Sequence, residues 1–327
     1  MERSFETVLR PLAARSIVSR NASPDVPFDR SINPYQGCEH GCIYCYARPS
    51  HSYLDLSPGI DFETQIFFKP NAVELLLATW RRPGYECKPI TIGANTDPYQ
   101  PAERRLGLTR RLLEAFLAHG HPVTLITKSG FMRRDLDLLA ALAEQNLCSV
   151  AISVPTADDA LKRRLEPRVP SARVRFRLMR DLAAAGVPVS LLMAPIIPAV
   201  NDHEIEAIVA AAAASGARQA SWVLLRLPHE LKAIFSDWLQ AHMPERADHV
   251  MSLLRQASGG KDYDNRYGVR QRGRGAYADM IAQRFRVACA KAGIPRQRSL
   301  GALDCSRLSP PANAHGARQM ALDLGTS

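Results

Sequence analysis

The stretch Asn33-Pro34-Tyr35-Gln36-Gly37-Cys38-Glu39-His40-Gly41-Cys42-Ile43-Tyr44-Cys45-Tyr46 holds the densest chemistry in the chain. It sets three cysteines at C-x3-C-x2-C, and thiolates at that spacing converge only if the backbone turns tightly. Gly37 and Gly41 supply the freedom for such a turn. Soft thiolates select zinc, copper(I) or an iron–sulfur cluster. A structural zinc site needs four protein ligands, and no second cysteine pair follows at a suitable distance. His40 lies inside the same short loop, where a fourth bond would strain the backbone. A 4Fe-4S cluster normally takes four cysteines, so three leave one iron without a protein ligand. An open metal position is where chemistry is done. The other cysteines, Cys87, Cys148, Cys289 and Cys305, are scattered, and an odd total of seven argues against a disulfide framework. Cys148, in the run CSVAISV, reads as a core residue.

Outward from the loop, apolar runs alternate with helical stretches. The strand candidates are residues 65–69, 89–93, 122–127, 148–154, 188–194 and 221–227, rich in β-branched residues and leucine as in strands buried on both faces of a parallel sheet. Helical spacing covers 70–81, 107–119, 133–145, 171–186 and 202–214. Gly186 falls at a C-terminal cap, and Asn201 or Asp202 is placed to cap the Ala-rich helix that follows. Such βα repetition implies right-handed crossovers. With about six such runs, the expected fold is α/β, an open or closed parallel barrel. Residues 1–30 read as an N-terminal arm and 31–227 as the core barrel. Residues 228–305 read as a helical and Arg/Gly-rich appendage, with helices at 228–242, 245–257 and 276–292, and 306–327 as a flexible tail.

With 46% apolar and 23% charged residues among 327, the composition is that of a globular protein. No run of about 18 apolar residues appears, so no membrane-spanning helix is expected. The N-terminus has no secretory signal pattern, so a cytoplasmic location is expected. The formal charge is +10, concentrated in Lys162 to Arg180 and Arg255 to Arg298. That bias suits an anionic partner, DNA or RNA first, or simply solvated helix faces.

The spacing C-x3-C-x-aromatic-C, met here by Cys38, Cys42, Tyr44 and Cys45, resembles the motif of the radical S-adenosylmethionine superfamily. The segments Gly37-Cys38 through Tyr46-Ala47, Thr96-Asp97-Pro98, Thr127-Lys128 and Glu166-Pro167-Arg168 are similar to its spore photoproduct lyase-like branch. The resemblance covers roughly residues 30–230 and implies a partial parallel (β/α)6 barrel. It implies a 4Fe-4S cluster on Cys38, Cys42 and Cys45, whose open iron chelates S-adenosylmethionine. It also implies reductive cleavage to a 5′-deoxyadenosyl radical, and an external electron donor of flavodoxin or ferredoxin type. Tyr44 is then expected beside the adenine, Thr96 and Asp97 near the methionine ammonium, and Lys128 and Arg168 near its carboxylate. Ser153 is expected at the ribose, Glu166 in the same region, and Met193, Ala194 and Pro195 around the adenine. For each the plainer alternative is local: a capped turn at Asp97, a solvated Lys128, a Glu166–Arg168 surface pair.

Substrate-side candidates are Tyr99, Gln100, Arg226 and Arg270 to Arg274, with Tyr263, Tyr267 and Tyr277 interleaved for stacking on bases or for packing on the barrel mouth. One departure matters. The lyase keeps a hydrogen-donating cysteine shortly before its Thr/Ser-Asp segment, where this chain has Ala94, so thymine-dimer reversal is not implied. A peptide or small-molecule substrate, and a non-catalytic metal-stabilised nucleic-acid-binding protein, are the competing readings.

Overall fold

The computed structural model describes residues 6–295 and 302–312. Two strands, β1 (Val8–Pro11) and β2 (Val18–Arg20), precede β3 (Arg30–Ile32), which leads through β4 (Tyr35–Gln36) into the cysteine loop. After that loop come β5 (Gln65–Phe68), β6 (Ile90–Ile92), β7 (Val123–Thr127), β8 (Cys148–Ser153), β9 (Val189–Ile196) and β10 (Gln219–Leu224). Strands β3, β6, β7, β8, β9 and β10 lie side by side in chain order and are parallel, with β2 antiparallel on the β3 edge. This is the open parallel sheet of a partial (β/α)6 barrel.

One expected strand sits elsewhere. Residues 65–69 do form a strand, but β5 joins a small sheet in the order β1-β5-β4, and the first barrel strand is β3. Only three residues long and containing Arg30 and Ser31, β3 has too little apolar length to be recognised by pattern. The geometry that results is the useful one, because the cysteine loop now leaves the C-terminal end of the first barrel strand. The small sheet fixes where it starts, with Tyr35 paired to Phe68 and Gln36 to Phe67. The stretch expected to be an arm thus contains β1 and β2, and Ile17 is buried beside them. The expected tail falls partly outside the described residues, which end at 312; Ser309 N donates to the His119 carbonyl at 2.9 Å.

The two sheet faces differ. Ile90, Ile92, Val123, Leu125, Val150, Ile152, Val189 and Leu191 are buried in one core with Leu112, Phe116, Leu142, Leu182 and Ile208 from the helices, each contributing roughly 1.5–3 kcal/mol. On the other face Thr91, Thr124 and Ser149 stand in register, as do Ala151 and Ser190. The strands are therefore not apolar on both faces: Thr124, Ala151 and Ser190 are only partly buried and leave a lumen on the inner side of the sheet.

Helices form at Ala72–Trp80, Leu108–Ala118, Leu136–Glu144, Ala172–Ala184 and Ile205–Ala214, close to expectation. Gly186, with φ of +76°, ends the fourth in the left-handed conformation that favours glycine. Asn201 caps no helix: its amide is buried, accepting from Ile197 N at 2.6 Å and donating to the Pro155 and Pro195 carbonyls. A short helix, Asp159–Leu165, follows β8, capped by the Asp158 side chain. Beyond β10, Leu231–His242 and Ala247–Ala257 pack with the cysteine loop, since Phe235, Trp238, Val250 and Leu254 share a core with Cys42 and Tyr44. The last helix, Ala276–Lys291, returns to the outer layer beside Ile205–Ala214, where Arg284 pairs with Glu206 at 2.7 Å.

Candidate functional site

The cysteine loop is held from every side by its own backbone groups. Cys38 N donates to the Phe62 carbonyl at 2.9 Å and Ile43 N to that of Leu165 at 3.0 Å. Gln100, fully buried, accepts from Glu39 N at 2.9 Å and donates to the Gly37 carbonyl at 3.1 Å. Arg48, 1% exposed, donates to the carbonyls of Cys42, Pro58 and Gly59 at 3.0, 3.1 and 2.8 Å and pairs with Glu63. Gly41 adopts φ of +65°, and a β-carbon there would lie 2.6 Å from Glu63 Oε2 and 2.9 Å from Arg168 Cζ. No other residue fits that turn.

Three free thiols result: Cys38 and Cys42 are buried and Cys45 is half-buried. Burial pushes all three thiols up from their ordinary pKa, and mutual repulsion with neighbouring cysteines adds to this for Cys38 and Cys42. Such thiols ionise when a cation is bound to them. Among the described residues no three His, Cys, Asp or Glu side chains converge on a point that would hold a single metal ion. His40 does not complete a tetrahedral set; its Nδ1 lies 3.3 Å from Asp97 Oδ2. Three free thiols on one short, locked loop are the soft donor set that an iron–sulfur cluster takes.

Facing the lumen, four of the expected residues meet. Lys128 Nζ donates to Ser153 Oγ at 2.6 Å, lies 3.5 Å from Glu166 Oε1 and stands 5.5 Å from the centroid of the Tyr44 ring. The Tyr44 hydroxyl donates to Glu166 Oε1, and Arg175 pairs with Glu166 Oε2. Burial opposes ionisation of Glu166, but Arg175 and Lys128, with the Tyr44 hydroxyl, hold its carboxyl well below the usual carboxylate range. The Ala194 carbonyl at the tip of β9 accepts from Lys128 and Ser153, each at 3.3 Å, while Met193 turns into the core.

The remaining expected residues are occupied differently. Thr96 donates to the Tyr35 carbonyl at 2.8 Å. Asp97 accepts from Thr127 Oγ1 at 2.6 Å, Lys128 N at 2.8 Å and Tyr99 N at 2.9 Å. Burial works against its charge, yet His40 and these donors keep its carboxyl below the ordinary value. Both residues strap the tips of β6 and β7 to the loop. Arg168 does not pair with Glu166; it bonds the Glu39 carbonyl and Glu63. Arg48, Glu63, Gln100 and Arg175 were not singled out for these roles by the sequence. Arg175 had a signal: it occupies the buried stripe of its helix with Ala172, Leu178, Met179 and Leu182, while Val174 is 39% exposed.

At the lateral opening the Arg/Gly loop spans from β10 to the segment after β2. Leu224 N donates to the Gln271 carbonyl at 2.8 Å, while Asp25 accepts from Gly268 N at 2.6 Å and pairs with Arg270 at 2.5 Å. Arg266 pairs with Asp264, and Arg272 lies 4.5 Å from the Trp222 ring centroid. Its arginines act first as fasteners. Arg226 stands 4.1 Å over the Tyr46 ring, whose hydroxyl bonds the Ala94 carbonyl. Tyr277 donates to Asp202 at 2.5 Å, and Tyr99 is buried.

Residues 32–212 match the family model described as the Radical SAM superfamily. An uncharacterised protein of Mycobacterium tuberculosis is 36% identical over 255 residues, covering 77% of this chain and 74% of that protein. An uncharacterised protein of Methanocaldococcus jannaschii is 27% identical over 173 residues, covering 53% and 62%. Among solved structures, spore photoproduct lyase complexed with dinucleoside spore photoproduct superposes with a TM-score of 0.63 at 15% identity, covering 86% of this chain and 79% of that one. A parallel partial barrel with three thiols on the loop after its first strand, and this family match, define the class: the chain belongs to the radical SAM superfamily. It is a radical SAM enzyme, with a 4Fe-4S cluster and S-adenosylmethionine as its cofactors.

Proposed function

We propose that Cys38, Cys42 and Cys45 hold the cluster and that the lumen beside Tyr44, Lys128 and Ser153 receives S-adenosylmethionine. The observation that carries this reading is the convergence of Tyr44, Lys128, Ser153 and Glu166, from four separate segments, on the lumen side of the cysteine loop. When bound, the cluster and S-adenosylmethionine supply a 5′-deoxyadenosyl radical for hydrogen abstraction. The chain's own part is positioning. Lys128 offers an ammonium to a carboxylate and Ser153 a hydroxyl to a ribose. Glu166 fixes the Tyr44 ring and Lys128, with Arg175 neutralising it from the core. Thr96 and Asp97 act on cofactor binding by holding the β6 and β7 tips, and Arg168 by bracing the loop through Glu63.

The substrate we propose is nucleic acid. Arg163 and Arg173 remain exposed after the internal pairs are counted, and the net charge of +10 favours an anionic partner. The lyase to which the fold is similar was solved with a dinucleoside photoproduct. Ala94, its carbonyl bonded by Tyr46 at the lumen rim, offers no thiol to return a hydrogen atom, so a lyase reaction of that kind is not proposed. No helix among the described residues is long and apolar enough to cross a membrane, and the proposed setting is the cytoplasm.

The test is anaerobic. Reconstituted protein is assayed for iron and sulfide, reduced with dithionite, given S-adenosylmethionine and followed for 5′-deoxyadenosine. About four irons per chain and nucleoside formation that Cys42→Ala abolishes are expected. Zinc in place of iron, or a cluster that never cleaves the cofactor, overturns the reading.

A further inference from the structure

We infer that the arginine-lined groove on the outer flank of the cysteine loop docks an acidic one-electron donor protein, an inference that rests on the radical reading above. The groove encloses about 580 Å³ and shares none of Tyr44, Lys128, Ser153 or Glu166. His40 lines it, two residues from Cys38 and two from Cys42. Two residues of chain span at most roughly 7 Å between Cα atoms, so the groove wall and the proposed metal ligands are one loop seen from opposite sides.

The division of labour follows from chemistry. A radical reacts only with what lies beside it, so substrate must enter on the lumen side. The outer flank needs to admit only an electron. One electron would leave the donor, oxidising it by one unit, and pass by way of the Cys38–Cys42 loop to the cluster those cysteines would hold, reducing it by one unit; no atom is exchanged at the groove.

The lining says what kind of donor fits. Four arginines, Arg104, Arg133, Arg168 and Arg177, meet one acid, Asp181. Arg168 is committed to the Glu39 carbonyl and Glu63, and Arg133 lies 3.3 Å from Asp181. That leaves Arg104 and Arg177, both exposed and without a carboxylate partner among the described residues. Pro101, Phe131, Pro167 and Val174 add apolar surface to the same lining, with Val174 39% exposed. Exposed apolar surface beside charge is the anatomy of a protein interface, and weak redox complexes are small enough for a single groove. A base would find no free aromatic face: Tyr99 is buried, and the Phe131 ring is flanked by Arg104 and Arg134 at 5.1 and 4.6 Å from its centroid.

Oxidised flavodoxin, an acidic flavoprotein, is titrated calorimetrically against the full chain at about 50 mM salt, where surface charges are weakly screened. In the pair Arg104→Glu/Arg177→Glu the Kd is expected to rise tenfold or more, and in Arg104→Lys/Arg177→Lys to stay within about twofold. Formation of 5′-deoxyadenosine driven by reduced flavodoxin falls in parallel with binding, whereas that driven by dithionite is unchanged. Flavodoxin binding that is absent in the wild type, or equal in the charge-reversed pair, overturns the inference. So does a loss of oligonucleotide affinity with flavodoxin affinity intact, which assigns the groove to nucleic acid. A wild type inactive with dithionite strikes at the radical reading instead, and the binding titration still decides the groove.

Discussion

The two flanks of the cysteine loop use the same residue types to opposite ends. On the lumen flank the charges are matched and mostly buried: Glu166 and Arg175 are both 0% exposed and Lys128 is 18% exposed, with the Tyr44 hydroxyl closing the network. On the outer flank the side chain of Arg133 is 63% exposed and that of Arg168 44%, and Arg104 and Arg177 reach solvent. Buried pairing fixes geometry, because a charge taken out of water is stable only in one arrangement with its partner. Exposed charge attracts a partner from a distance while contributing little to the fold. A site that must hold a reactive group still needs the first, and a surface that a carrier visits briefly needs the second.

The largest expected effect tests that contrast directly. Glu166→Ala leaves Arg175 buried without its partner and should destabilise the protein by about 3–5 kcal/mol, whereas Arg177→Ala should change stability by less than about 0.5 kcal/mol. Chemical denaturation of both variants measures this, and equal effects would erase the distinction between the flanks.

A smaller effect comes from the core beneath both flanks. His121 stacks on Trp80 with ring centroids 4.7 Å apart, and burial lowers its pKa to about 4. The native state therefore holds the neutral ring. Stability is complete above about pH 6.5 and falls as the pH drops towards 4, by on the order of 2–3 kcal/mol at the lower end. Urea midpoints between pH 7 and 4.5 should slope less in His121→Phe than in the wild type. Parallel slopes would remove His121 as the cause, and acid sensitivity would then belong to a flank.

The smallest effect sharpens the lumen reading. Lys128→Met removes the ammonium that faces Ser153 and Glu166, and should raise the KM for S-adenosylmethionine about tenfold, roughly 1.4 kcal/mol. Dithionite-driven 5′-deoxyadenosine formation at varied cofactor concentration gives the value. An unchanged KM would move the carboxylate site away from Lys128.

Some of this arrangement was legible in local sequence. Tyr44, Lys128, Ser153 and Glu166 could be named because each lies in a motif or at the end of an apolar run, where a parallel barrel gathers its functional groups. The roles of Arg48, Glu63, Gln100 and Arg175 could not be read there, Gln100 being expected on the substrate side instead, because they are hydrogen bonds to groups as distant as Gly37 from Gln100. The displaced strand has the same origin. Residues 65–69 are apolar enough for a barrel strand, but β4 and β1 take both of their edges, and the barrel begins with the weakly patterned Arg30–Ile32.

By itself the sequence determined the cysteine spacing, the glycines that let the loop turn and the alternation that makes a parallel α/β sheet, since each depends on residues close in the chain. Only the tertiary structure decided which strand begins the barrel, that Asp97 and Arg168 brace the loop, and that the arginines divide between an inner network and an outer groove. Those outcomes depend on which backbone groups and charges meet across the fold, and a buried one is stable only where such partners reach it.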